Sequence, residues 1–164
     1  MAKVIYKFDA DISTDAIYPG RYMATVLPTE TPEYCFADYK ELNEKLNSGE
    51  WKGGVLIAGE NFGCGSSREQ AASTILGHNL TVIAKSVARI FMQNSVNLGL
   101  ELITCPSLEA KVGDDIVLEG GKVLNKTSGK SFEIVPLPAA RKAIIEAGGL
   151  VPYTRKKLVE ERTK

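Results

Sequence analysis

Cysteine and histidine are scarce in this chain. Cys35, Cys64 and Cys105 are odd in number and far apart, no C-x-x-C pair occurs, and His78 is the single histidine. Neither a zinc site nor an iron–sulfur cluster can be assembled from such residues alone, and most histidine-based metal or triad chemistry is excluded too. An excess of charge is also missing. Lys plus Arg and Asp plus Glu number 20 each, which argues against a general binder of nucleic acid or anionic membrane. No run approaches the roughly 18–20 apolar residues that span a bilayer, and "MAKVIYKFDAD" lacks a signal-peptide core. The expectation is a cytoplasmic protein with no nucleic-acid or membrane partner. Internal repeats and low-complexity linkers are absent as well, and 164 residues suit one domain with a sizeable core.

What is present reads as alternating strands and helices. "KVIYKF" is a first strand, and "DADISTDAIYPGRY" after it is polar and turn-prone. Residues 32–47 read as a helix, with Thr31 as its cap and Pro32 at its first position. "GVLIAG", "LTVIAKS" and "LELITC" are short continuous apolar runs, as expected of strands buried on both faces. Between them, "SREQAASTILGH" and "VARIFMQNSVNLG" fit helices, the second with Val87, Ile90, Phe91, Asn94 and Leu98 near helical spacing and Gly99 as its stop. This β-α-β-α-β run implies a mainly parallel sheet. Residues 115–118, 122–125 and 131–135 read as a small antiparallel meander joined by Gly-Gly and Ser-Gly turns. "LPAARKAIIEAGGL" is a last helix before a basic tail, residues 154–164. The fold class expected is α/β: one domain over residues 1–164, a mainly parallel core sheet with a small antiparallel β layer.

The stretch "GENFGCGSSREQAA", Gly59 to Ala72, follows a buried strand and opens a helix. A helix N-terminus is a ready anion site, and Gly63 and Gly65 would let backbone amides turn toward a ligand. A nucleotide fits poorly. Arg68 stands where the dinucleotide fingerprint wants a third small residue, and the next strand ends in Lys85-Ser86 rather than an acid for the ribose. The bland alternative is a Gly-rich turn in which Ser66 or Ser67 caps the helix.

"AGENFGCGSSREQAA", with "VIAKSVARIF", "NSVNLGL" and the upstream "DADISTDAIYPGRY" in the same order and separation, closely resembles the small subunits of aconitase-superfamily hydro-lyases. Within that superfamily the resemblance is to the isopropylmalate-dehydratase type, and it runs from about residue 3 to 153. It implies a swivel-type (β/β/α) domain and one half of a two-chain enzyme of leucine biosynthesis. The reaction would move a hydroxyl between adjacent carbons of a di- or tricarboxylic 2-hydroxy acid by dehydration and rehydration. The [4Fe–4S] cluster that assists the departing hydroxyl would be bound by a separate large catalytic subunit and not by this chain, in keeping with the cysteine count.

Carried over residue by residue, the resemblance makes Ser66 the catalytic base, whose alkoxide removes a weakly acidic proton alpha to a carboxylate. Loop amides, the helix dipole and Arg68 could stabilise that oxyanion. Ser67 and Arg68 match positions that bind a substrate carboxylate, a group that suits a guanidinium fork. Glu69 could orient Arg68 or favour the helix N-terminus by its charge. Cys64 reads as a packing residue, His78 as a partner of a helix dipole, and Asp11, Thr14 and Asp15 as turn formers that shape the site loop.

Specificity is expected from the loop Tyr22, Met23, Ala24 and Thr25, with Arg21 a further carboxylate contact. Homoaconitase-type small subunits resemble this chain here but carry an arginine two places after the tyrosine, where this sequence has Ala24. Without that cation a third carboxylate is left unpaired. Met23 and Ala24 offer an apolar surface instead, worth about 0.8 kcal/mol per buried methylene. An alkyl-substituted malate such as isopropylmalate is favoured; methylmalate and dimethylmalate stay open, since Met23-Ala24 is small.

Overall fold

The computed structural model describes residues 1–162. Seven strands form one sheet in the order β4-β3-β2-β1-β5-β6-β7. The parallel half comprises β1 (Ala2–Lys7), β2 (Val55–Ala58), β3 (Thr81–Ala84) and β4 (Leu102–Thr104). The antiparallel half comprises β5 (Asp115–Glu119), β6 (Lys122–Asn125) and β7 (Lys130–Glu133), and it joins β1 edge-on through Ala2↔Ile116 and Lys3↔Asp115. The meander thus extends the same sheet. The chain leaving β7 then returns to the far edge, where Val135 N–H donates to Thr104 O at 2.8 Å. The sheet is curled nearly into a ring.

The period-2 alternation of side chains splits the apolar runs between two cores. Val4, Val55, Ile57, Ile83 and Ile103 point into the ring with Leu108, Ile116 and Val123. Ile5, Leu56, Ala58, Val82 and Leu102 point outward under α3 (Glu69–Gly77) and α4 (Arg89–Leu98). Each large aliphatic so buried contributes about 1.5–3 kcal/mol. Strands buried on both faces need continuous apolar sequence, which is why β2, β3 and β4 are legible as runs rather than alternations.

Two helix expectations change. Residues 32–47 are not one helix: a 3-10 turn covers Thr31–Tyr34, and α2 occupies only Lys40–Asn47. Between them Phe36 has φ 52° and is fully buried with Cys35. Phe36 stacks on Phe8 (4.9 Å, 25°) and meets Tyr39 edge-on, and its N–H donates to Ile17 O at 2.8 Å. Packing an aromatic cluster around Phe8 overrides the helical start that Pro32 signals. In α4 the buried face is Phe91, Ser95 and Val96, and Ile90 is exposed. Phe91 lies over Gly63, and the Ser95 hydroxyl donates to Phe91 O at 2.8 Å, so a serine is accommodated in the core.

After α1 (Thr14–Ile17), the chain makes a 3-10 turn over Gly20–Tyr22. At the other end, α5 (Ala139–Glu146) is followed by α6 (Leu150–Arg162), with which the basic tail from residue 154 is continuous; residues 163–164 lie outside the described ones. Among the described residues no helix is long and apolar enough to cross a membrane.

Candidate active site

The chain segments leaving the C-terminal ends of β1, β2 and β3 lie side by side. Ser13 bridges to Cys64 and Phe62 to Val87, both in parallel sense. The crevice outside the carboxyl ends of parallel strands is where open α/β sheets place ligands. Gly63 has φ +77°, and a Cβ there would fall 2.2 Å from Phe91 Cγ. Only glycine lets the loop pass this close to α4. Gly63 N–H donates to Ile12 O and Thr14 N–H to Cys64 O, both at 2.7 Å, and Asn94 Nδ2 donates to Ser67 O at 3.1 Å. Asn61, at φ 58°, ties its side chain to Asp11 at 2.7 Å and its backbone N–H to Ser86 Oγ at 2.8 Å. The serine loop is therefore fastened to three neighbouring segments.

Ser66 and Ser67 are exposed at the crest of this loop. Ser66 N–H donates to Thr14 Oγ1 at 3.1 Å, and the two hydroxyl oxygens are also 3.1 Å apart. Neither serine caps α3: its N-cap residue is Arg68, and no side chain caps the first turn. The plain capping role considered for Ser66 or Ser67 is excluded by this geometry. Arg68 is bonded through Nη1 to Asp15 Oδ1 and, at 3.3 Å, to Tyr18 O. Its carboxylate partner is thus Asp15, not Glu69, which stands exposed in the first turn of α3. Asp15 also accepts from Gly20 N–H at 2.8 Å. The Arg68 guanidinium, then that amide, hold the Asp15 carboxyl below the usual carboxylate range.

Arg68 also lies against Gly20, which brings the Arg21 loop next to the serine loop. Arg21 is directed to Asp38, Nη2 to Oδ1 at 2.5 Å and Nη1 to Oδ2 at 3.3 Å, with its guanidinium 4.7 Å from the Tyr22 ring centre. The Asp38 carboxyl is held low by that pair. Tyr22 stacks on Tyr34 at 4.2 Å and 14°, and the Tyr18 hydroxyl reaches the carbonyls of Tyr22 and Thr25 at 3.0 and 3.2 Å. Met23 and Ala24 are exposed, as are Val26 and Leu27 beyond them.

Of the remaining candidates, Cys35, Cys105 and His78 are buried. Cys35 is buried in the outer core, where desolvation pushes its thiol up to about 12, and Cys105 is buried inside the ring. Cys64 is half-buried in the loop. His78 is not a charged partner of a helix dipole. It is buried with Nε2 2.9 Å from Pro32 O, and burial lowers its pKa, so the neutral ring donating to that carbonyl is favoured. A cleft of about 1000 Å³ opens at the mouth of the ring beside Gly59 and Glu60 and does not contain Ser66 or Arg68. Lys130 there is paired with Glu109 at 2.6 Å and Lys7 donates to Ala110 O at 3.1 Å, while Lys85 and Lys111 also line the cleft.

Sequence reasoning placed Ser66, Ser67 and Arg68 in one loop and expected Thr14 and Asp15 to shape it, but gave neither their pairings nor the part of Asn94 in fixing it. Thr14 and Asp15 are 52 and 53 residues away from their partners. The hydroxyl and carboxylate of the quoted "STD" were a signal only if the two loops were known to touch.

This fold and loop define a class. The chain belongs to the aconitase C-terminal domain family, whose pattern matches residues 9–107. Its similarity extends beyond that region to 3-isopropylmalate dehydratase small subunits. The one from Thermodesulfovibrio yellowstonii is 40% identical over 98% of this chain and 96% of its own length, and the one from Methanosarcina acetivorans 38% over 96% and 97%. An isopropylmalate/citramalate isomerase small subunit from Methanocaldococcus jannaschii is 37% identical over 96% of this chain and 95% of its own length. The crystal structure of the 3-isopropylmalate dehydratase from that organism superposes with TM-score 0.87 and 38% identity, covering 99% of this chain and 98% of that one.

Proposed function

We propose that this chain is the small subunit of a two-chain hydro-lyase that interconverts 2-isopropylmalate and 3-isopropylmalate by dehydration and rehydration, a cytoplasmic step of leucine biosynthesis. The observation that carries the reading is Ser66, an exposed hydroxyl on a braced loop directly before Arg68 and the uncapped N-terminus of α3. The full-length similarity to 3-isopropylmalate dehydratase small subunits supplies the reaction class.

In this reading the Ser66 alkoxide takes the proton from the carbon alpha to a carboxylate and becomes a hydroxyl. The C–H electron pair becomes the new C=C bond as the neighbouring hydroxyl leaves, and rehydration with the opposite regiochemistry returns the proton. Ser67 and Arg68 hold the substrate carboxylate, Arg68 turning part of its fork from Asp15 toward it, and Arg21 contributes by exchanging Asp38 for substrate. The helix dipole of α3 adds a favourable field for both anions. The residues of this chain do not fit a [4Fe–4S] cluster, because Cys35, Cys64 and Cys105 lie in two separate cores and a loop. The cluster, and with it the Lewis acid for the departing hydroxyl, is assigned to the large subunit.

The exposed, uncharged Met23 and Ala24 support an alkyl substituent over a third carboxylate. A methyl-substituted malate is a second reading that the same small side chains favour, and a relative named for both isopropylmalate and citramalate accords with it. Reconstitution with the cognate large subunit tests the proposal. The chain alone is expected to carry no iron and to have no dehydratase activity, and the complex to turn over isopropylmalate. Ser66→Ala in the complex is expected to abolish turnover with assembly intact. Activity of the chain alone sinks the two-chain reading, and near-normal kcat in Ser66→Ala moves the base elsewhere.

A further inference from the structure

We propose that the Thr14 hydroxyl donates a hydrogen bond to the Ser66 oxygen and so stabilises the alkoxide that removes the substrate proton. The inference rests on the assignment of Ser66 as base. Its basis is a polarity argument. Thr14 is 1% exposed, and its Oγ1 lies 3.1 Å from both Ser66 N and Ser66 Oγ. A backbone amide can only donate, so Thr14 Oγ1 accepts from Ser66 N–H. The single Thr14 proton must then go elsewhere, and Ser66 Oγ, 3.1 Å away, is an acceptor within reach. The opposite arrangement, Ser66 O–H donating to Thr14, would leave a buried hydroxyl proton without a partner, which is unfavourable. Once Ser66 has lost its proton, only the Thr14-to-Ser66 direction remains.

The rest of the segment holds Thr14 for this contact. Its N–H is bonded to Cys64 O at 2.7 Å and its carbonyl accepts from Tyr18 N–H at 2.9 Å. The Ser13 hydroxyl accepts from Ala16 N–H at 3.1 Å and caps the same short helix. Gly65, at φ +94°, wraps the serine loop around the threonine, a Cβ on it standing 3.5 Å from Thr14 Oγ1. Arg68, the cation nearest in sequence, is engaged by Asp15 and Tyr18 O instead. Thr14 is therefore the side chain that touches the reacting oxygen, and it supplies a donor already in place before substrate arrives.

Thr14→Val keeps the shape and removes the donor. In the complex reconstituted with the large subunit, it is expected to lower kcat about 100-fold with KM changed little. The rising limb of kcat against pH should move upward by about one unit, and the primary deuterium isotope effect on the abstracted hydrogen should grow. Thr14→Ser restores the donor and should recover most of kcat and the original limb. Should Thr14→Val fail to assemble, Thr14→Cys, a weaker donor in the same place, is expected to show the same upward shift. Wild-type kcat and an unshifted limb in Thr14→Val or Thr14→Cys, with Ser66→Ala inactive, overturns the role of Thr14 and leaves the serine base standing. Near-normal turnover in Ser66→Ala overturns both.

Discussion

The two loops that frame the candidate site are built in opposite ways. The serine loop, residues 59–68, is crossed by backbone and side-chain hydrogen bonds from the segments after β1 and β3 and from α4, and Gly63 is pressed against Phe91. The neighbouring loop, residues 19–30, is fixed at its entry by Tyr18 and Tyr22 and at its exit by Thr31, whose hydroxyl meets Ser73 at 3.0 Å and whose carbonyl accepts from Thr74 at 2.7 Å. Between those anchors it exposes Met23, Val26 and Leu27. Chemistry on a proton requires atoms held to fractions of an ångström before substrate binds. In the proposed reading, the second loop needs only a surface of the right size for an alkyl group.

Substitutions in the two loops should therefore separate widely. Gly63→Ala is expected to cost the most, about 3 kcal/mol from overpacking against Phe91 and from a side chain at positive φ; a fall in the urea midpoint reads this, and an unchanged midpoint would mean that the loop is not braced. Next, Ala24→Arg should leave folding almost untouched and shift relative kcat/KM toward a tricarboxylate such as homoaconitate by about tenfold, equivalent to about 1.4 kcal/mol. An unaltered substrate profile would remove the 22–25 segment from specificity.

A third effect concerns the exit anchor. Burial lowers the pKa of His78 below its unfolded value, so the folded state prefers the neutral ring. The stability this gives is complete above about pH 6.5 and is lost as pH falls through the lower folded value. Asp15 and Asp38 are held low and titrate further down, so the histidine window stands apart from theirs. Urea midpoints between pH 7.5 and 5 should show the decline, and His78→Gln should flatten it. Smallest of all, Leu27→Ser should change stability by less than about 0.5 kcal/mol, since the side chain is exposed; a larger drop in melting temperature would mean that the loop packs tightly after all.

The sequence was most legible where one physical demand acted alone. Val55–Ala58, Thr81–Ala84 and Leu102–Thr104 must be apolar on both faces, and continuous runs say so. Gly99, in the left-handed conformation, ended α4 as its position implied. Reading failed where two demands competed. Thr31 and Pro32 signalled a helix, but burying Phe36 beside Phe8 required a left-handed residue in the middle of that stretch. In the site, the loop and its serines were visible as a motif, whereas the pairing of Thr14 with Ser66 and of Asp15 with Arg68 is tertiary and leaves no periodicity to find.

The return of Val135 to Thr104 bears on how the edges of the sheet meet other chains. An open sheet offers unpaired amides and carbonyls along its outer strands, and those are templates on which another chain can add a strand and start to aggregate. Here the segment just after β7 is stitched to the end of β4, and the Cys105 thiol just beyond β4 donates to Glu133 O. The stitch leaves fewer free amides and carbonyls there for a further strand to pair with.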